Sequence, residues 1–335
     1  MPGMPTVTDV ARLAGVSRQT VSNVLNSPQI VKPVTRERVQ RAIAELGYRP
    51  HASARRLRTR RSSTIGVRLD PFANGISGAV LYRYVRELTA RAAVRGLRIL
   101  LYTAQSAEEE IEQFRMLVEG ADVDGFVLTS TYDGDPRTGW LIEHDVPFAT
   151  FGRPWGESDL DDPRHLWVDV DGAAGTAAAT EYLLESGARR IAFLGWPSPS
   201  GTGDDRERGW RVALESRGIA TGRRFAIEDS VAGARALIAG VLDSGEAPDA
   251  LVCASDSLAL GAHLAVGQRP LLLTGFDNTP VAEALGFSSV EQLPEKVAEG
   301  TLDLLTGSGG RDIRAPGVAE GGPSHVLVTP ALVRR

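Results

Sequence analysis

The chain has 335 residues, enough for two or three domains, and its 42% hydrophobic and 24% charged side chains are those of a soluble globular protein. A net charge of −5 taken whole argues against nucleic acid, but residues 1–61 carry 12 Lys and Arg against 3 Asp and Glu, a head of +9 on a body of −14. The single cysteine, Cys253, excludes an internal disulfide and a cysteine metal cluster. With no secretory leader and no membrane-length apolar run, the expected compartment is the cytosol.

Thr6-Val7-Thr8-Asp9 reads as a capping-box start to a first helix, with Val10, Leu13 and Ala14 as its buried stripe and Gly15 as the left-handed stop. Ser17 caps a second helix, in which Val21, Val24 and Leu25 share one face. Arg18 with Ser22, and Gln19 with Asn23, lie four apart on the opposite side. Arginine forks onto guanine, while Gln and Asn read adenine, so this face suits the DNA major groove. A third helix, starting after Thr35, turns Val39, Ile43 and Leu46 inward and ends at Gly47. Beyond it, Ala54 and Leu57 are three apart amid arginines, the composition of a small apolar wedge for the minor groove.

The run T-V-T-D-V-A-R-L-A-G-V-S-R-Q-T-V-S-N-V-L-N (Thr6 to Asn26), followed by L-G-Y-R-P-H-A-S-A-R-R-L (Leu46 to Leu57), resembles the headpiece and hinge of the lactose/galactose repressor family (LacI/GalR). The resemblance implies that Arg18, Gln19 and Asn23 read bases and that Leu57 inserts between base pairs at the operator centre. The residues assigned to DNA are Thr6, Ser17, Arg18, Gln19, Thr20, Ser22, Asn23, Asn26 and Tyr48, with His51, Ala54 and Leu57 in the hinge. His51 departs from the family's usual asparagine, a better helix cap, which implies a weaker or pH-sensitive hinge helix.

From Thr64 onward strands and helices alternate. Strands are expected at Ile65–Leu69, Arg98–Tyr102, Asp124–Thr129, Pro147–Gly152, Trp167–Val170, Arg190–Gly195, Ala250–Ala254 and Leu271–Phe276. Helices are expected near Ala79–Arg95, Glu108–Val118, Thr138–Glu143, Gly175–Ser186, Arg206–Arg217, Ala232–Leu242 and Ser257–Leu264. This alternation predicts an α/β body of two doubly wound lobes with parallel sheets. The resemblance implies a periplasmic-binding-protein-like body behind an all-α helix-turn-helix headpiece. The expected boundaries are 1–50 for the headpiece, 51–62 for the hinge and 63–335 for the body. Chain crossings near Arg164, Val290 and Pro323 would give lobes of 63–164 with 291–322 and 165–290 with 323–335. The last crossing sends His325 to Val328 into the second lobe.

No phosphate-binding loop, metalloprotease motif, complete dinucleotide fingerprint or nucleophile elbow is present, and no catalytic, metal or cofactor site is assigned. Gly201-Thr202-Gly203 reads as a flexible loop, and Asp161-Asp162 and Asp204-Asp205 as solvated loop pairs. The informative residues directly follow predicted strands, where open sheets bind ligands. They are Asp70 and Phe72, the segment Phe151-Gly152-Arg153-Pro154-Trp155, then Trp196 (with Arg206 at the start of the next helix), Ser255 with Asp256, and Phe276 with Asp277. Rings that pack on sugar C–H faces, with carboxylate and guanidinium groups that bond hydroxyl pairs, suit a carbohydrate. The effector set is Phe72, Trp155, Trp196, Arg206, Asp256 and Asp277, with capping of the helix from Ser257 as the alternative role of Asp256. The resemblance further implies that Arg206, opening the segment Arg206-Glu207-Arg208-Gly209-Trp210, grips the effector and that Asp277 binds sugar hydroxyls. The runs FGRPW, WVDVDG and GDDRERGW look like actinobacterial members that answer to plant-derived oligosaccharides.

The expected protein is a repressor of carbohydrate-utilisation genes that binds palindromic double-stranded operator DNA as a homodimer and is released by a mono- or oligosaccharide in the interlobe cleft. No leucine heptad follows the last strand before Arg335, so the tetramer-forming helix of some relatives is expected to be absent. The alternatives are a co-repressed regulator of the same fold and a sugar-binding protein that does not touch DNA, with an enzyme on this fold third.

Overall fold

The computed structural model describes residues 5–48, 61–69, 76, 78–156, 160, 162–245, 247–267, 269–317 and 323–335. The chain divides into two compact units, Met1–Ser62 and Ser63–Arg335.

In the first unit, α1 (Val7–Ala14) opens with a complete capping box, the Thr6 N–H donating to the Asp9 carboxylate at 2.9 Å and the Asp9 N–H to Thr6 Oγ1 at 3.4 Å. Gly15 closes the helix at φ 60°, a left-handed position that a Cβ disfavours. Val10, Ala11 and Ala14 are buried, whereas Leu13 is 46% exposed. The expected stripe is therefore rotated: the buried arc centres on 7, 10, 11 and 14, and Leu13 falls outside it. In α2 (Arg18–Asn26), Ser17 Oγ accepts the Thr20 N–H at 3.0 Å, Val21 and Val24 are buried, and Leu25 packs against the same core. α3 (Pro33–Leu46) begins before Thr35, because Pro33 occupies the first turn, where its missing N–H removes no bond.

Among its described residues the body holds two six-stranded sheets. β1 (Thr64–Arg68), β2 (Arg98–Tyr102), β3 (Gly125–Leu128), β4 (Phe148–Phe151), β5 (Leu166–Val170) and β11 (His325–Val328) run in the order β11-β5-β4-β3-β1-β2, all parallel. β6 (Ile191–Gly195), β7 (Arg224–Ala226), β8 (Ala250–Cys253), β9 (Leu272–Phe276), β10 (Ser288–Glu291) and β12 (Ala331–Val333) run β12-β10-β9-β8-β6-β7. That second sheet is parallel except for its edge, where β12 lies antiparallel to β10.

Helices α4 (Gly78–Val94), α5 (Ala107–Glu119) and α6 (Pro136–Glu143) belong to the first lobe. The second carries α7 (Gly172–Glu185), α8 (Gly201–Ser216), α9 (Val231–Asp243), α10 (Asp256–Val266) and α11 (Pro280–Leu285). α12 (Pro294–Thr306) returns to pack on α4, β4 and β5. Ile65, Val67, Val127, Ala149 and Val168 bury one face of the first sheet against Leu88, Val297 and Leu302. Phe193, Leu251 and Val252 do the same in the second lobe against Trp210 and Leu258. No helix among the described residues is long and apolar enough to cross a membrane.

Two of the three expected crossings move. β5 pairs with β4 and with β11, so Leu166–Val170 and His325–Val328 both belong to the first lobe, and the chain crosses after Val170 and again after Val328. His325 to Val328 therefore does not enter the second lobe; only β12 beyond it does. Buried strands look alike whichever sheet they join, so apolar patterning carries no signal for that choice. The chain also passes between the lobes from β10 of the second sheet to α12, which packs on the first lobe.

Candidate functional site

The outer side of α2 presents Arg18 and Gln19 exposed, with Ser22 and Asn23 half-buried. Gln19 Nε2 donates to Asn23 Oδ1 at 3.0 Å, which leaves the Gln19 carbonyl and the Asn23 amide NH2 as an acceptor and donor pair on that face. Thr20 Oγ1 lies 2.9 Å from Ser17 Oγ, so these two hydroxyls hold the entry to the helix. Tyr48, expected on the DNA face, is 6% exposed and belongs to the headpiece core. Asn26 closes α2; Phe72, His51, Ala54 and Leu57 lie outside the described residues.

Because all strands of the first sheet and all but one of the second are parallel, their carboxyl ends bring loops together between the lobes. A cleft of about 240 Å³ lies there, lined by Trp155, Asp169, Trp196, Asp205, Arg206 and Asp277, with Thr131, Ser255 and Gln292 among its other polar groups. Four of the six expected effector residues thus meet in one cavity.

Arg206 sits in the first two turns of α8, which begins at Gly201 and is capped by Ser200 Oγ accepting the Gly203 N–H at 3.3 Å. Its guanidinium carbon lies 3.6 Å from the Phe276 ring centroid and 5.4 Å from that of Trp196. Nη1 donates to the Ala254 carbonyl at 2.5 Å, while Nε is buried and has no hydrogen-bond partner among the described residues. Gly172 permits this close approach, since a Cβ there would stand 3.0 Å from Arg206 Cγ and 2.9 Å from Asp205 Oδ2. Asp277, at φ 113°, follows β9 in a backbone region that side chains rarely adopt and accepts the Gln292 amide at 2.6 Å. Burial pushes its carboxyl up to about 8, against the pull of Arg206, and the same burial lowers the Arg206 guanidinium from its usual value.

Asp256 does not belong to the cleft. It is fully buried in the first turn of α10, where Oδ2 accepts from the Thr279 N–H at 2.7 Å and the Thr279 hydroxyl at 2.8 Å, and Oδ1 from Ser289 at 2.6 Å. Nor is it the helix cap: Ser255 Oγ takes the Leu258 N–H at 3.2 Å. The three donors that hold Asp256 arrive from elements later in the chain, which local pattern does not reveal.

The sequence reading placed Arg153 in an informative strand-end segment but left its carboxylate partners, Asp169 and Asp205, out of the site. Arg153 donates to Asp169 Oδ2 at 2.6 Å and reaches Asp205 Oδ2 at 3.5 Å, so it links β5 of the first lobe to α8 of the second. Burial raises the Asp169 carboxyl and Arg153 draws it back. Asp205 also accepts the Ala173 N–H at the start of α7 and pairs with Arg208. The expectation that Asp204-Asp205 and Gly201-Thr202-Gly203 form loops fails, because Ser200 starts the helix five residues earlier than expected. A carboxylate inside the apolar run Trp167-Val168-Asp169-Val170 was the signal that could have flagged Asp169. Trp155 packs flat on Gly201, where a Cβ would collide with the indole, and Arg153 lies over the ring at 4.9 Å.

A helix-turn-helix unit with a polar recognition face, followed by two doubly wound lobes around a polar, ring-walled cleft, defines a ligand-responsive DNA-binding regulator. Residues 6–51 match the family described as bacterial regulatory proteins, lacI family, and residues 85–298 match the periplasmic binding proteins and sugar binding domain of the LacI family. The chain is 34% identical to the HTH-type transcriptional regulator CelR of Thermobifida fusca, over 92% of this chain and 94% of that protein. It is 30% identical to the HTH-type transcriptional repressor PurR of Vibrio atlanticus, over 90% and 91%. Among solved structures it resembles the transcriptional regulator CelR–cellobiose complex at 30% identity and TM-score 0.67, covering 99% of each chain. The Lac repressor dimer bound to operator and the anti-inducer ONPF shares the fold, at 24% identity and TM-score 0.75 over 99% of this chain and 98% of that one. The chain belongs to the LacI family of transcriptional regulators.

Proposed function

We propose that this regulator represses carbohydrate-utilisation genes, binding a palindromic operator as a homodimer in the cytosol and leaving it when a sugar occupies the interlobe cleft. The observation that carries this reading is Arg206: a buried guanidinium stacked on Phe276, facing Trp196, with an unpartnered Nε and a carboxyl, Asp277, 3.9 Å away. A sugar supplies what that arrangement lacks, hydroxyls for the guanidinium and carboxyl and C–H faces for the rings. Two similar proteins support it, since CelR has been solved with cellobiose and PurR is named a repressor.

In this reading Arg18, Gln19 and Asn23 contact base edges in the major groove, and Leu57 wedges the minor groove at the operator centre. A ligand shifts an equilibrium only through differential affinity for its two states. Sugar therefore has to favour a lobe arrangement that no longer seats two headpieces on one operator. A thermal-shift screen of mono- and oligosaccharides, followed by operator binding with each stabilising sugar, tests this. The expected result is one sugar class that stabilises the protein and lowers operator affinity; a sugar that stabilises the protein and tightens operator binding would make it a co-repressed regulator instead.

A further inference from the structure

We propose that the effector is an oligosaccharide of at least two units, held in a two-part site: one terminal ring in the inner cleft and the next units in an outer cavity along α8. The proposal rests on the sugar-effector reading above. The inner cleft, about 240 Å³, falls below the roughly 300–1,000 Å³ of ordinary small-molecule sites. Beside it lies an outer cavity of about 620 Å³, and Trp155 and Asp205 line both. The outer cavity by itself falls within the ordinary range, whereas the inner one has room for a single ring.

Helix α8 serves both spaces with adjacent stripes. Thr202, Asp205 and Arg206 face the inner cleft, while Asp204, Glu207, Arg208 and Arg211 line the outer cavity at the i, i+3, i+4, i+7 spacing of one helix face. From Asp204 to Arg211 that face runs about 10 Å, room for two ring-sized units end to end. A stripe of this kind is ordinarily a solvated surface, but here the first lobe supplies an opposite wall, with Trp155 and Asp133. The polar groups are fixed in place: Arg224 of β7 donates to Glu207 at 2.5 Å and to the Trp196 carbonyl at 2.7 Å, which ties the outer wall to an aromatic of the inner cleft. Arg211 has capacity to spare: among the described residues the carboxylate it meets is that of Glu215, at 3.9 Å. A guanidinium with open donors beside a held carboxylate binds vicinal hydroxyls, the repeating feature of a sugar chain.

Calorimetry on the full-length dimer with glucose, cellobiose, maltose, cellotriose and maltotriose tests the assignment. In one linkage series affinity should rise about tenfold or more from one unit to three, as expected for one added charge-assisted hydrogen bond. R211A, a change at a half-exposed side chain, should lower trisaccharide affinity about tenfold and leave the melting temperature at the wild-type value. Glucose binding as tightly as its trisaccharides, with R211A acting on neither, overturns the outer site and leaves the sugar reading standing. Binding of no sugar in either series, with operator affinity unmoved by all of them, overturns both.

Discussion

Arg206 Nη1 stops 3.9 Å from Asp277 Oδ1, beyond hydrogen-bond range, although both side chains are buried in the cleft. In the proposed sugar-bound state a ligand hydroxyl between them would complete both groups. R206A and D277A should therefore yield proteins that hold the operator and ignore the inducer. By linkage, operator must weaken sugar binding by the factor with which sugar weakens operator binding. Calorimetry of the stabilising sugar with and without operator reads that factor; equal affinities, while sugar still releases DNA, would rule out the cleft mechanism.

The Asp277 carboxyl also predicts a pH dependence. Burial raises it from 3.8 to about 8, so between those values the native state keeps a proton that the unfolded chain has released. Its contribution to stability is complete below pH 3.8 and is lost as pH rises towards about 8. D277N stays neutral and keeps an acceptor for Gln292. Its stability relative to wild type should climb across that window, by up to roughly 1.4 kcal/mol per pH unit. Urea denaturation at pH about 5, 7 and 9 measures the difference, which a flat profile would contradict.

Asp256 predicts the opposite class of effect. D256A strands the Thr279 N–H, the Thr279 hydroxyl and the Ser289 hydroxyl in the core, at a cost of roughly 3 kcal/mol or more. The melting temperature should fall steeply, with sugar affinity of the folded fraction near the wild-type value. Full stability combined with lost sugar binding would return Asp256 to the effector site.

In the headpiece, Arg18 projects from α2 on the same side as the bonded Gln19–Asn23 pair. R18A should reduce specific operator affinity by about 1–3 kcal/mol and leave binding to random DNA nearly intact. Footprinting with operator and random duplexes separates the two, and equal losses on both would assign Arg18 to phosphate contact.

Much of this protein follows from its sequence because the deciding forces act over a few residues. The Thr6–Asp9 capping box, the left-handed Gly15, the Ser17 cap and the alternation of strands and helices all rest on hydrogen bonds and apolar spacing within one or two turns. The same locality led to Asp277, placed directly after β9, whereas Arg206, in the second turn of α8, is picked out by the family resemblance of its segment. Tertiary structure alone decided the rest. Asp256 and Asp277 both stand within a few residues of a strand's carboxyl end, yet Thr279 and Ser289 satisfy the first, while the second turns into the cleft beside Arg206. β11 joins the first sheet and β12 the second, although only a short turn separates them. Asp205 reads as half of a solvated pair until α7 and Arg153 close over it. In each case the deciding partner lies 16 or more residues away along the chain, and the spacing of neighbouring side chains carries no record of a contact that only folding creates.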